Sequence, residues 1–140
     1  MVEHLITQKL ESLQRCLARV QSRCPASLEL LSQDIDAQDV VVLNLSRAVG
    51  LCTDIALHLL TDKNLPVPKT MAEAFERLAE CGVISQATSL KLKKAVGFRN
   101  LAVHSYDLID WEVVFKVATA ELVDLKTFAF EISAKLPTNS

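Results

Sequence analysis

Residues 6–20, ITQKLESLQRCLARV, carry an apolar side chain at every third or fourth position. These positions are Ile6, Leu10, Leu13, Leu17 and Val20. Because an α-helix turns once every 3.6 residues, the five side chains form one stripe along a helix. The pattern predicts an amphipathic helix that packs against other helices and ends near Cys24 and Pro25.

The C-terminal part of the chain has the same periodicity. Apolar residues recur in steps of three and four at Trp111, Phe115, Ala118, Leu122, Leu125, Ala129 and Ile132. Asp110 is a good N-cap directly before them. The pattern predicts one continuous helix that packs along its whole length.

Three further helices are predicted between these two. The second begins after Asp34 or Asp36 and continues through Leu60, ahead of a loop with two prolines at 64–68. The third covers Met71–Glu80, because Thr70 and Glu73 have capping-box spacing and Gly82 supplies a stop. The fourth is capped by Ser85 and runs toward Arg99. Residues 104–107 are predicted to be a connection.

The composition agrees with an all-α fold. The chain has 140 residues, of which 50% are hydrophobic, with only 3 Gly and 4 Pro. We predict a single domain over residues 1–140, an antiparallel bundle of about five helices. No segment approaches the roughly 18 consecutive apolar residues of a membrane span. The spacing of Cys16, Cys24, Cys52 and Cys81 forms no CxxC pair, and we expect reduced, mostly buried thiols in a cytoplasmic protein.

The charge is distributed unevenly. Residues 81–106 contain four basic residues and no acidic one, whereas the rest of the chain has 11 basic and 17 acidic residues. The four are Lys91, Lys93, Lys94 and Arg99. The segment predicts a local anion-binding patch, with the three lysines as candidates for binding an RNA backbone. A solvated helix face is the alternative.

The same segment ends in RNLAVHSY, residues 99–106, an R-x4-H-x-Y string. Arginine can fork onto two phosphate oxygens, and histidine can give and take a proton near neutral pH. These are the groups that metal-free RNA cleavage requires, in which a base activates the ribose 2′-OH and positive charge stabilises the attacked phosphate. Arg99 and His104 are therefore the candidate catalytic residues. The alternative is that His104 is a polar turn residue.

Geometry adds a constraint on this pair. On a continuous helix, Arg99 and His104 would lie about 140° apart, and one histidine cannot easily perform both proton transfers. Either the helix ends between them, or two copies of the chain share a cleft across a symmetric interface. The motifs that hold phosphates or helix-bound metals, GxxxxGK[ST] and HExxH among them, are absent from the sequence, so we expect no cofactor and no metal.

The R-x4-H-x-Y string, Asn100 and the second-helix segments 44–48 (NLSRA) and 54–58 (DIALH) resemble the HEPN-domain family. The likeness is to its HepT type, prokaryotic toxins linked to minimal nucleotidyltransferases. It implies a homodimeric, metal-independent ribonuclease with Arg99 and His104 in a cleft between protomers. It also implies an MntA-like nucleotidyltransferase antitoxin that transfers AMP from ATP to Tyr106.

Supporting site roles are predicted for Asn100, Arg47 and Asp54. Arg47, Asp54 and His58 share one stripe of the second helix, and an Asp54–His58 pair within the helix is the alternative. Two function classes remain at this point: a regulated endoribonuclease toxin, and a non-catalytic substrate-binding or regulatory subunit of a nucleotidyltransferase. They differ in whether His104 is required.

Overall fold

The computed structural model describes residues 2–137, which form helices without a β-strand. Seven α-helices lie within this range: α1 (Val2–Arg23), α2 (Leu28–Gln33), α3 (Ile35–Asp62), α4 (Met71–Glu80), α5 (Gln86–His104), α6 (Trp111–Thr119) and α7 (Leu122–Lys135). A short 3-10 turn, Tyr106–Leu108, joins α5 to α6. The all-α prediction is confirmed, although the number of helices is larger than five.

The predicted helix starts are capped as the sequence indicates. Asp34, rather than Asp36, caps α3 by accepting a hydrogen bond from the Ala37 N–H at 3.0 Å. The Thr70 hydroxyl accepts from the Glu73 N–H, and the Glu73 carboxylate accepts from the Lys69 N–H. Each of these bonds satisfies an N–H that the helix itself leaves unpaired.

The structure differs from the predicted helices at two places. The six-residue α2 was not predicted; it is capped by Ser27, whose hydroxyl accepts from the Leu30 N–H. The C-terminal stripe belongs to two helices, because α6 ends at Thr119 and α7 starts at Leu122. At this break, the Thr119 hydroxyl donates to the Phe115 carbonyl and the Glu121 N–H donates to the Lys116 carbonyl. The helix therefore ends without Gly or Pro.

The predicted connection at 104–107 is also wrong in part. α5 continues through His104, and Ser105 is its C-cap, with its N–H bonded to the Leu101 carbonyl. Tyr106 then begins the 3-10 turn. The helix therefore does not end between Arg99 and His104.

Ion pairs fix the directions of neighbouring helices. Lys9 of α1 pairs with Asp54 of α3, and Cys16, farther along α1, lies near Arg47, which comes earlier in α3. The two helices are therefore antiparallel. Lys93 of α5 pairs with Glu76 of α4 at 2.7 Å. α4 and α5 are antiparallel as well, because Arg99, farther along α5, contacts Met71 at the start of α4.

The buried side chains form one core. The stripe from Ile6 to Val20 faces it, and Phe75 of α4 packs edge-on against Phe128 of α7 at a centroid distance of 5.7 Å. α3 is long and apolar enough to cross a membrane, but 56% of its most apolar window is buried in the protein, as in a central core helix. The single domain predicted over residues 1–140 stays a prediction, since residues 1 and 138–140 lie outside the described part.

The four cysteines are free, as predicted. Only Cys52 is buried; Cys16 and Cys24 are half-buried and Cys81 is exposed, so the prediction of mostly buried thiols is wrong. Burial raises the pKa of the Cys52 thiol far above its ordinary value, because the thiolate would lack solvation. Cys52 is therefore a protonated core side chain.

Candidate active site

Arg99 and His104 both lie on α5, five residues apart on an uninterrupted helix. At 100° per residue they project about 140° apart around the helix axis. Arg99 is half-buried on the side of α4, whereas His104 is exposed in the last turn. One protomer therefore presents the guanidinium and the imidazole on different sides of the same helix.

The Arg99 guanidinium lacks a counterion. Its Nη1 lies 4.0 Å from the Met71 sulfur, and within residues 2–137 no carboxylate comes within 4.0 Å of it. Its Nε is buried and has no hydrogen-bond partner in this part of the chain. An unpaired charge that is partly removed from water is costly for the fold, and an anion that binds there would offset this cost.

His104 shares its side of α5 with other exposed residues. Asn100 lies one turn earlier at a helical spacing of four, and Gly97 and Leu101 also point to that side. A Cβ at Gly97 would meet nothing within 4 Å, so packing within the protomer does not require a glycine there. Glycine in a helix interior costs roughly 0.5–1 kcal/mol relative to alanine.

The three lysines differ in their surroundings. Lys93 pairs with Glu76 at 2.7 Å and Lys91 with Asp124 at 3.9 Å. Lys94 is exposed and, among residues 2–137, has no carboxylate within 4.0 Å. Lys91 and Lys94 line a groove of about 370 Å³ between α5, α6 and α7.

Tyr106 contacts Asp39, which lies far from it in the chain, and Trp111, which begins the next helix. Its hydroxyl donates a hydrogen bond of 2.9 Å to Oδ1 of Asp39 in α3. Its ring packs edge-on against Trp111, with the centroids 6.2 Å apart. The phenol therefore has a defined position although 43% of the residue is exposed.

The pKa of Tyr106 is raised above its ordinary value. Partial burial is the largest cause, followed by the hydrogen bond to Asp39 and the negative charge of Asp39. All three disfavour the phenolate. At neutral pH the Tyr106 hydroxyl therefore keeps its proton.

The second-helix candidates lie elsewhere. Asp54 pairs with Lys9 of α1 at 3.5 Å, and no Asp54–His58 ion pair occurs among the described residues. The guanidinium of Arg47 lies close enough to Cys16 to act on the pKa of that thiol. Asp54 is about 22 Å along α3 from Asp39, given a rise of 1.5 Å per residue, so Asp54 lies far from the hydroxyl of Tyr106, which Asp39 contacts.

The comparisons with known proteins show the family of the chain. The family model described as ribonuclease HepT-like matches residues 13–132. The chain belongs to the HepT-like ribonuclease family. The mRNA nuclease HepT of Shewanella oneidensis is 35% identical over 131 residues, which cover 94% of this chain and 98% of that one.

Two solved structures match this HepT-like chain over nearly its whole length. One is a toxin–antitoxin structure with AMP-PNP, with a TM-score of 0.88 and 34% identity, covering 94% of this chain and 99% of that chain. The other is the tri-AMPylated HEPN toxin of Shewanella oneidensis in complex with MNT antitoxin, with a TM-score of 0.87 and 35% identity, covering 93% and 97%. The predicted family, fold class and ribonuclease class are confirmed.

Asp39 and Met71 are the site contacts of this HepT-like chain that the sequence did not indicate. Asp39 is one of several carboxylates near the start of α3, and 67 residues separate it from Tyr106. No local spacing rule connects two residues this far apart. Met71 is a half-buried side chain at the start of α4, and its contact with Arg99 depends on how α4 packs against α5.

Proposed function

We propose that this protein is a metal-independent endoribonuclease toxin whose Arg99 and His104 act in a cleft between two copies of the chain. The observation that carries the proposal is the half-buried Arg99 guanidinium, which has no carboxylate partner between residues 2 and 137 and lies on the same helix as an exposed histidine. The family membership and the mRNA nuclease among its relatives support the reaction class.

The roles follow from RNA chemistry. A base removes the proton from a ribose 2′-OH, the oxygen attacks the adjacent phosphorus, and the 5′-oxygen leaves with a proton. His104 supplies proton transfer, and a second His104 from the other copy supplies the other transfer. Arg99 stabilises the extra negative charge on the phosphate. The products carry a cyclic phosphate at one end and a 5′-hydroxyl at the other.

The homodimer is supported by the shape of α5. Leu90 and Leu101 are exposed on the side of α5 that also holds Gly97 and His104, and an exposed glycine in mid-helix permits the close approach of another backbone. A symmetric contact along this side would bring two copies of His104 to one interface. Leu101→Arg should therefore yield monomers by light scattering, and Val67→Arg, in the loop after α3, should not.

Silencing is proposed to occur at Tyr106, with an MntA-like nucleotidyltransferase antitoxin as the partner that adds AMP from ATP. The tri-AMPylated relative in complex with an antitoxin supports this. A phosphodiester at Tyr106 adds negative charge and a bulky nucleoside two residues from His104, and both oppose RNA binding. The cytoplasm is the proposed location, which the four free cysteines support.

Lys91, Lys93 and Lys94 are proposed to contact the RNA backbone, and Asn100 to support the site from the side of His104. Arg47 and Asp54, on the side of α3 that faces α1, are proposed to support the site through the packing of α3 rather than by contact with Tyr106. No metal is assigned a role. Among residues 2–137, no three His, Cys, Asp or Glu side chains gather as metal ligands would.

The test is cleavage of total cellular RNA by the purified protein in EDTA. The wild type should cleave the RNA and leave 5′-hydroxyl ends, and His104→Ala should lose about 10²-fold or more of the rate. His4→Ala, which removes an exposed histidine of α1, is the matched control and should cleave normally. Equal cleavage by His104→Ala and wild type would contradict the proposal and would favour a non-catalytic subunit.

A further inference from the structure

The contact between Asp39 and Tyr106 places a carboxylate on the atom that the proposed modification would use. The phenolic oxygen lies 2.9 Å from Oδ1 of Asp39, within normal hydrogen-bond distance. The bond connects the turn after α5 to the second turn of α3, and both residues remain exposed to solvent. An incoming nucleotide can therefore reach the hydroxyl without displacing a core side chain.

Among the described residues of this chain, Asp39 is the titratable group that contacts the Tyr106 hydroxyl. The Trp111 side chain is uncharged and does not titrate, and neither His104 nor Asp107, the titratable neighbours in the chain, forms a hydrogen bond with the hydroxyl among the described residues. Burial and the charge of Asp39 raise the pKa of Tyr106, so the phenol is not ionised at neutral pH. A nucleophile in this state needs a base when it reacts.

We propose that Asp39 is the general base for the transfer of AMP to Tyr106, an inference that rests on the proposed function. As the Tyr106 Oη attacks the α-phosphorus of ATP, a new Oη–P bond forms and the bond from the α-phosphorus to the β-phosphate oxygen breaks, which releases pyrophosphate. The phenolic proton passes to Oδ1 of Asp39 and then to water. A carboxylate that accepts the proton of an attacking hydroxyl is a recurring part of enzymes that transfer groups from ATP.

The test compares Asp39→Asn with wild type in the presence of ATP, Mg²⁺ and the MNT antitoxin of Shewanella oneidensis, with intact mass as the readout. Asparagine keeps an oxygen that accepts the Tyr106 hydrogen bond but cannot take up its proton. The rate of the first AMP addition should fall on the order of 10²-fold at neutral pH. Relative to wild type, it should recover as the pH approaches that of tyrosine ionisation, because the phenolate needs no base.

Asp36→Asn is the matched control, because Asp36 is an exposed carboxylate one turn earlier on α3 and does not bond to Tyr106. It should be modified at the wild-type rate. An equal rate for Asp39→Asn and wild type, or a loss that high pH does not relieve, would overturn the role of Asp39. A wild type that gains no AMP would instead overturn the proposed regulation at Tyr106, and the inference with it.

A second measurement tests the contact without any partner. Tyr106 is the one tyrosine of the chain, so the phenolate absorbance reports its ionisation alone. Asp39→Asn should titrate at a lower pH than wild type, because it removes the negative charge that opposes the phenolate. Identical titration curves would show that Asp39 does not act on the hydroxyl in solution and would overturn the inference.

Discussion

Arg99 and His104 lie on the same helix, α5, yet point to different sides of it. Arg99 contacts Met71 of α4, and His104 is exposed in the last helical turn. Because α5 is continuous through both residues, a bend between them cannot bring the two side chains together. This separation is the reason for the proposal that two copies of the chain share a cleft, in which the guanidinium of one copy and the imidazole of the other act on one phosphate.

The first prediction separates the role of Arg99 in activity from its role in stability. Arg99→Ala should lose on the order of 10² to 10³ of the cleavage rate. Its free energy of unfolding should be unchanged or higher, because the buried Nε forms no hydrogen bond with any described residue. Arg77→Ala removes an arginine that is paired with Glu73, and it should cleave RNA normally. Circular dichroism measures whether Arg99→Ala is folded. An unfolded variant would contradict the prediction and would show that Arg99 is required for the fold.

The second prediction concerns the lysines of α5. Each phosphate that a cation neutralises on a single strand contributes about 0.7 to the slope of log binding constant against log salt. Lys94→Gln should lower that slope, because Lys94 has no carboxylate partner within the described residues. Lys93→Gln should lower it less, since Glu76 already competes for this lysine. Filter binding of labelled RNA at several salt concentrations measures the slope. An unchanged slope in both variants would show that these lysines form a solvated helix face and do not bind RNA.

The sequence predicted most of the helices because their causes are local. The stripe from Ile6 to Val20 requires only a helical period, and the cap formed by Thr70 and Glu73 spans four residues. The break between α6 and α7 was missed because it uses side-chain and backbone bonds at Thr119 and Glu121 rather than Gly or Pro. α2 was missed because six residues carry too little periodicity.

The candidate site was predicted only in part, for a similar reason. The string from Arg99 to Tyr106 is contiguous, so its residues could be recognised together. The contact of Tyr106 with Asp39 and the lack of a counterion at Arg99 depend on how α3, α4 and α5 pack. Spacing along the chain carries no information on such contacts.

The third prediction tests Tyr106 as the AMP acceptor. Wild type incubated with ATP and an MNT antitoxin should gain one or more AMP units, and Tyr106→Phe should gain none. The chain has a single tryptophan, Trp111, and its ring contacts Tyr106, so modification should also change tryptophan fluorescence in wild type alone. Tyr106→Phe should keep most of its ribonuclease activity. Undiminished AMP addition to the Phe variant would place the acceptor elsewhere.

The fourth prediction tests the core with two phenylalanines of α7. Phe128 is fully buried against Phe75, whereas 74% of Phe130 is exposed. Phe128→Ala should lower the free energy of unfolding by about 3–5 kcal/mol, because it removes buried apolar contacts and leaves a cavity. Phe130→Ala should change it by no more than about 0.5 kcal/mol. Urea unfolding followed by circular dichroism measures both, and similar losses in the two variants would contradict the packing of α7.

The cleft shared by two copies is tested most directly by mixed dimers. Arg99→Ala and His104→Ala chains carrying different affinity tags are co-expressed, and the dimer that holds one of each is isolated. The mixed dimer retains one Arg99 and one His104, on opposite copies. It should cleave RNA in EDTA faster than either variant dimer, because each of those lacks every copy of one group. It should be slower than wild type, because a single His104 must then serve both proton transfers. A mixed dimer no more active than the two variant dimers would contradict a cleft in which Arg99 of one copy acts with His104 of the other.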